Sequence, residues 1–169
     1  MLMVPAEETG IETLVQQARI MEAGGAHGIT LADGAGTLFG AGVREHMQAL
    51  RRVLRPETEL GFHGHGSMAL SVSNSLAAIE GGARRIDGSL TLPGVGHTPI
   101  DALSAIGHRM GAVIGVDAYR LSDIGMALVQ PLDRSFLSQD QIRPSVVAPS
   151  AMAVLPQMDR RGLPKRIFA

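Results

Sequence analysis

Glu59-Leu60-Gly61-Phe62-His63-Gly64-His65-Gly66-Ser67 is the stretch on which the reading of the fold turns. It reads as a short strand that ends in His63 and His65. Residues i and i+2 of a strand point to the same face, so two imidazoles project side by side from one strand end. Neutral imidazole is the commonest metal ligand. Gly64 and Gly66 leave room for an ion and let a substrate approach the backbone. On spacing alone the stretch is equally a turn carrying two exposed histidines, and its surroundings have to decide.

Outward from it, helical and strand patterns alternate. Upstream, Ala26–Asp33 reads as a buried strand ending in an acid, and a helix over about 41–54 carries Val43, Met47, Leu50, Val53 and Leu54 on one side before Pro56 closes it. Further back, Pro5-Ala6-Glu7-Glu8 opens a helix that runs to about Ala23, with Ile11, Leu14, Val15, Ala18 and Met21 at helical spacing, and residues 2–4 read as the end of a strand. Downstream come a helix over about 68–80, a short strand from Arg84 to Leu90, and helices over about 99–110 and 117–129. Met21-Glu22-Ala23-Gly24-Gly25-Ala26 is echoed by Ile79-Glu80-Gly81-Gly82-Ala83, and the strands that follow end in Asp33-Gly34 and Asp87-Gly88. Such a repeated helix–glycine–strand–acid unit implies βαβ crossovers and a parallel sheet. In such sheets chemistry collects at the carboxyl ends of the strands, where Asp33, His63, His65 and Asp87 all fall.

Composition limits the alternatives. A chain of 169 residues fits one domain, and 45% hydrophobic residues suffice for a core. With 3% aromatics and no Trp, that core is built from Ala, Leu, Val, Ile and Met, which suits helices packed on a parallel sheet. A net charge of −1 points away from nucleic acid and anionic membrane surfaces. The absence of Cys removes disulfide and thiolate chemistry and makes a cytoplasmic setting the default expectation. No apolar run reaches the ~20 residues of a membrane span. Beyond residue 134 the character changes: Pro144, Pro149, Pro156 and Pro164 punctuate a segment ending in Lys165-Arg166. The expected division is an α/β domain over 1–134 and a proline-rich, loosely structured arm over 135–169.

Three segments carry a resemblance: Gly61-Phe62-His63-Gly64-His65, Ser71-Val72-Ser73-Asn74-Ser75-Leu76-Ala77-Ala78-Ile79-Glu80-Gly81-Gly82, and Arg85-Ile86-Asp87-Gly88-Ser89-Leu90. In this order and at these separations they resemble the 4-hydroxy-2-oxovalerate aldolases of the pyruvate-aldolase and 3-hydroxy-3-methylglutaryl-CoA lyase superfamily. The resemblance runs over roughly residues 1–134. It implies a TIM barrel, of which this chain matches the C-terminal half of the barrel only: a partial (half) barrel of parallel strands alternating with helices. It further implies a divalent metal, Mn²⁺ or another, held by His63 and His65, with Asp33 and Gly34 beside a 2-oxo acid substrate. The implied reaction cleaves or forms a carbon–carbon bond of a 4-hydroxy-2-oxo acid, giving pyruvate plus an aldehyde.

The chain also departs from that pattern. The strands that carry the family's carboxylate ligand, arginine and histidine base have no counterpart, so no catalytic residue is assigned here. Gly66-Ser67 stands where His-Asn is usual, the glycine-rich loop is shortened to Leu92-Pro93-Gly94-Val95-Gly96, and Tyr119 is the only tyrosine. The C-terminal domain that receives a partner acetaldehyde dehydrogenase is mostly missing. A half-barrel exposes two sheet edges and an apolar interior face, so a complementary half-barrel chain or a second copy is expected as partner. The competing readings are a non-catalytic interaction protein and a truncated remnant of the aldolase fold. Among the other polar residues, Asp33 is read as a third ligand or as a cap for the segment that follows. Asp87 is an acceptor that orients a histidine or a strand-end acid bonding loop amides. His97 is a loop histidine in preference to a site residue, and Asn74 is a packing residue with a local hydrogen bond.

Overall fold

A computed structural model describes residues 2–4, 9–66, 69–90, 96–112 and 115–129. The elements are β1 (Leu2–Val4), α1 (Ile11–Ala23), β2 (Gly28–Asp33), α2 (Gly40–Val53), β3 (Glu59–Gly64), α3 (Ser71–Glu80), β4 (Arg85–Asp87), α4 (Ile100–Arg109) and α5 (Ala118–Val129). The four strands form one sheet in the order β1-β2-β3-β4, and every neighbouring pair is parallel. Doubly wound sheets reverse their strand order at a switch point. This sheet does not reverse, which is the winding of a (β/α) barrel. The α/β, partial-barrel fold class expected from the sequence is the one observed.

The boundaries differ in instructive ways. Helix α1 begins at Ile11 behind Gly10, and the expected opening at Pro5–Glu8 lies outside the described residues. Strand β4 is only three residues long, because the chain leaves it to bridge Ser89 to Pro99. The proposed arm over 135–169 lies outside the described residues.

Alternation along the strands separates two faces. Ile29, Leu31, Leu60 and Phe62 meet Leu14 and Ala18 of α1, Val43, Met47 and Leu50 of α2, and Ala77 and Ala78 of α3 in one core cluster. Helices α2 and α3 come close because Gly81 follows α3. A Cβ there would lie 2.6 Å from the Cβ of Met47. The opposite face is organised in rows by the parallel register: Gly28–Glu59, then Thr30–Gly61–Arg85, then Ala32–His63–Asp87. Sequence reasoning expects an apolar open face here, and the structure corrects that. Arg85 lies across Gly61, pairs with Glu59 at 2.8 Å and Asp87 at 3.2 Å, and donates to the Thr30 hydroxyl. Gly61 permits this, since a Cβ would meet Thr30 Oγ1 at 2.8 Å. Half-exposed ion pairs of this kind add only about 0–1 kcal/mol each, so the network keeps the face wettable more than it stabilises the fold.

Two contacts hold the strand ends. The fully buried Asp33 carboxylate accepts hydrogen bonds from the amides of Thr37 and Leu38, both at 3.2 Å, and thereby shapes the loop from β2 to α2. Burial raises the Asp33 pKa, and these amides oppose the rise. Asn74 of α3 donates to the carbonyl of Leu38 in the same loop, a contact across 36 residues and not the local bond expected. At the other end, Gly88 sits against the 97–100 segment: a Cβ would lie 2.3 Å from the Thr98 carbonyl oxygen and 2.6 Å from Ile100 Cγ2.

Two stability changes follow. Asp33→Ala leaves two loop amides without their acceptor and is expected to cost about 1–3 kcal/mol in urea denaturation. Gly88→Ala is expected to cost about 1–3 kcal/mol by overpacking. Gly115→Ala, where nothing lies within 4 Å of the added carbon, should stay within about 0.5 kcal/mol of the wild type.

Candidate metal centre

Strand β3 delivers His63 to the open face, and the chain stays extended through His65, so both rings leave the same side. Their centroids lie 5.0 Å apart. The third imidazole arrives from 32 residues away. The amide of Thr98 donates to the Gly64 carbonyl at 3.0 Å, and the amide of Gly66 donates to the Gly96 carbonyl. These two bonds flank the antiparallel bridge between His65 and His97. That is the pattern of a non-hydrogen-bonded antiparallel pair, the kind in which facing side chains stand closest. His97 is thus set 4.9 Å from His63 and 4.9 Å from His65, ring centroid to centroid.

The pairing is anchored from beneath. Thr98 is fully buried, and its hydroxyl lies 3.0 Å from the Ser75 hydroxyl and 3.3 Å from the Ser71 carbonyl of α3. Gly64 fits between Phe62 and Thr98: a Cβ would approach Phe62 at 2.9 Å and Thr98 Oγ1 at 3.1 Å. The glycines beside the histidines therefore serve the close approach of the 96–98 segment, and not the opening of space before the rings that the sequence suggests.

Each imidazole is prepared as a ligand. His65 Nδ1 lies 2.8 Å from the backbone carbonyl of Asp33. A carbonyl only accepts, so Nδ1 carries the proton and the lone pair is on Nε2, the arrangement that orients a metal-binding histidine. Burial lowers the pKa of His63, and His65 and His97 beside it lower it further, while Asp87 opposes. Burial and then His65 lower the pKa of His97. Both rings are thus biased toward the neutral, ligating form. One ring nitrogen from each of His63, His65 and His97 lies within 4.8 Å of the others, and all three rings are half-buried. The group is imidazole only.

The other expected site residues fall around this cluster in different ways. The carboxylate of Asp33 is engaged by loop amides, and its carbonyl reaches His65. The backbone of Gly34 is exposed at the end of β2. Asp87 shares the register row of His63 and pairs with Arg85. His97, read from sequence as a loop histidine, stands in the cluster. The available signal was its place after the glycine loop, but the register that puts it opposite His65 is tertiary. A groove of about 740 Å³ lined by Ala102, Ala105, Tyr119 and Ser122 lies along α4 and α5, and none of the three histidines lines it.

Comparison with known proteins places the chain in a family. A family profile described as HMGL-like matches residues 3–127. A 4-hydroxy-2-oxovalerate aldolase from Cupriavidus necator is 48% identical over 124 residues, covering 72% of this chain and 36% of the relative. One from Dechloromonas aromatica is 47% identical over 125 residues, covering 73% and 36%. The chain thus spans about a third of the length of these curated relatives. Among solved structures, the HMG-CoA lyase from Brucella melitensis superposes with a TM-score of 0.66 at 20% identity, over 76% of this chain and 48% of that one. The carboxyl transferase domain of Rhizobium etli pyruvate carboxylase gives 0.62 at 21% identity, over 72% and 20%. At those identities the superpositions show the shared barrel-type fold, and the sequence match over most of the described residues adds the lineage: this chain belongs to the HMGL-like family, among relatives named as aldolases.

Proposed function

We propose that this chain carries the metal-binding side of a divalent-metal-dependent aldolase or lyase acting on a 4-hydroxy-2-oxo acid. The observation that supports it most directly is the imidazole cluster at the carboxyl end of β3, in a chain 48% identical to a 4-hydroxy-2-oxovalerate aldolase over the matched segment. His63 and His65 are the proposed ligands, and their donor set of half-buried imidazoles suits a divalent ion. When bound, such an ion would draw electron density from the carboxylate and keto oxygens of the substrate and so favour the enolate.

This chain's own residues then have definite tasks. The Asp33 carbonyl fixes the tautomer and direction of His65. Asp33 and Gly34, at the end of β2, form the proposed wall beside the 2-oxo acid. Gly64 and Gly66 let the 96–98 segment and α3 pack closely behind the histidines. In the cleavage direction the 4-hydroxyl loses its proton, the C3–C4 bond breaks and the aldehyde departs. The electron pair passes into the enolate, and a proton at C3 completes pyruvate. No residue here is assigned as the base for the first proton. We place that base, a carboxylate ligand and an enolate-stabilising cation on the remaining barrel strands, contributed by a complementary half-barrel or by a second copy.

A chimera tests this without presuming the partner. The 124-residue matching segment of the Cupriavidus necator aldolase is replaced by its counterpart from this chain, and pyruvate release from 4-hydroxy-2-oxovalerate is followed. The folded chimera should release pyruvate, and the His63→Ala/His65→Ala version should fall by at least about a hundredfold, as loss of Lewis-acid assistance implies. A folded chimera that releases none would reject the aldolase reading in favour of a non-catalytic one.

A further inference from the structure

We propose that His97 is a third metal-binding residue and that the three-imidazole group it completes selects a late, nitrogen-preferring ion, Zn²⁺ in place of Mn²⁺. This rests on the reading of His63 and His65 as metal ligands and goes beyond it in ligand number and metal identity. The resemblance in sequence implies Mn²⁺ or another divalent ion, and the donor set of this site favours the second.

Three observations carry the inference. The rings of His63, His65 and His97 form a near-equilateral triangle, with centroid separations of 5.0, 4.9 and 4.9 Å. The planes are mutually inclined by 72°, 58° and 66°, so the rings are splayed, not stacked, and their nitrogens converge within 4.8 Å. The placement is also built and not incidental. Two backbone hydrogen bonds fix the His65–His97 pair, buried Thr98 pins the segment to α3, and Gly88 admits it against the end of β4.

The chemistry of the donors sets the ion. Among the described residues the group able to hold one ion contains imidazoles and no carboxylate. The Asp33 oxygens accept loop amides, and Asp87 pairs with Arg85. Mn²⁺ favours carboxylate, carbonyl and water oxygens and lies at the weak end of the divalent series. Zn²⁺ accepts three imidazoles and keeps a fourth position for water or substrate. An oxygen ligand added from another strand leaves that three-imidazole base in place.

Isothermal titration of the full chain with ZnCl₂ and with MnCl₂ tests this, on the wild type, His97→Asn and His63→Ala/His65→Ala. Almost any site binds Zn²⁺ more tightly than Mn²⁺, so the decisive quantity is the change in the ratio. One Zn²⁺ per chain is expected. His97→Asn should weaken Zn²⁺ by at least about tenfold while Mn²⁺ changes much less, so that selectivity collapses. If His97→Asn binds Zn²⁺ as the wild type does while the double variant loses it, the role of His97 is overturned and the two-histidine reading stands. If the wild type binds neither ion, or the double variant binds as well as the wild type, both readings fall. Imidazole-nitrogen NMR of the wild type supplies a readout that needs no variant to fold. Zn²⁺ should shift three histidines, and a shift confined to His63 and His65 would overturn the proposal.

Discussion

The arrangement of the site depends on a two-bond antiparallel pairing between residues 64–66 and 96–98. It is short, yet it decides which side chains meet. The bonds from Thr98 to Gly64 and from Gly66 to Gly96 make His65 and His97 a non-hydrogen-bonded pair, and only in that register do both rings leave the same face at close range. A slip of one residue would turn His97 to the opposite side. Small and buried residues enforce the register. Gly64 and Gly88 remove the bulk that would push the segment away, and Thr98 is held among Ser71 and Ser75 at the start of α3. The hydroxyl network of α3 is therefore part of the site's support, although no residue of α3 belongs to the histidine cluster.

The same economy appears on the open face of the sheet. Barrel interiors are filled by rows of side chains from neighbouring strands, and this sheet already shows such rows: Thr30–Gly61–Arg85 below and Ala32–His63–Asp87 above. Arg85 fills the lower row by lying over a glycine, on a face expected to be apolar. Its guanidinium spends its donors on Glu59, Asp87 and Thr30, so the charge is matched without help from outside the described residues. The upper row leads to the histidines. The division, a self-satisfied polar plug beneath a histidine-bearing rim, leaves the histidines at the carboxyl end of the strands, where chemistry collects in folds of this winding.

The sequence reading succeeded where a local rule applied. Period-two spacing is enough to put His63 and His65 on one face, and the paired Gly-Gly breaks locate the ends of α1 and α3. Helices α2, α4 and α5 fall within one residue of their expected spans. It failed where the outcome depended on contacts remote in sequence. His97 reaches the cluster through a pairing across 32 residues, which its sequence surroundings do not reveal, so the plain loop reading was preferred over the site-facing one. Asn74 bonds a carbonyl 36 residues away. Arg85 reads in sequence as a surface or salt-bridged charge, and its ion pairs bear out the second, but only the register shows it crossing Gly61 on the open face. Asp33 lay between the two cases. Capping was one of its two readings, but the use of its backbone carbonyl to orient His65 follows from the geometry alone.

The proposed ligand set would have a consequence for the strength of the chemistry. Carboxylate ligands cancel part of the charge of a divalent ion, whereas three neutral imidazoles cancel none of it. A site of the second kind polarises a bound oxygen more strongly, and three-histidine zinc sites bring the pKa of bound water to about 7. On the proposed reaction the negative charge develops on the keto oxygen as the C–C bond breaks, and an ion held by three imidazoles and one carboxylate from the remaining strands would keep a net positive charge to act where the transition state differs from the ground state. The structure reinforces this by biasing His63 and His97 toward their neutral forms through burial and mutual repulsion. A protonated imidazole neither ligates nor leaves room for a cation, so the features that hold the rings together also keep them chemically available. That combination favours a built ligand cluster over three histidines gathered by accident of a turn.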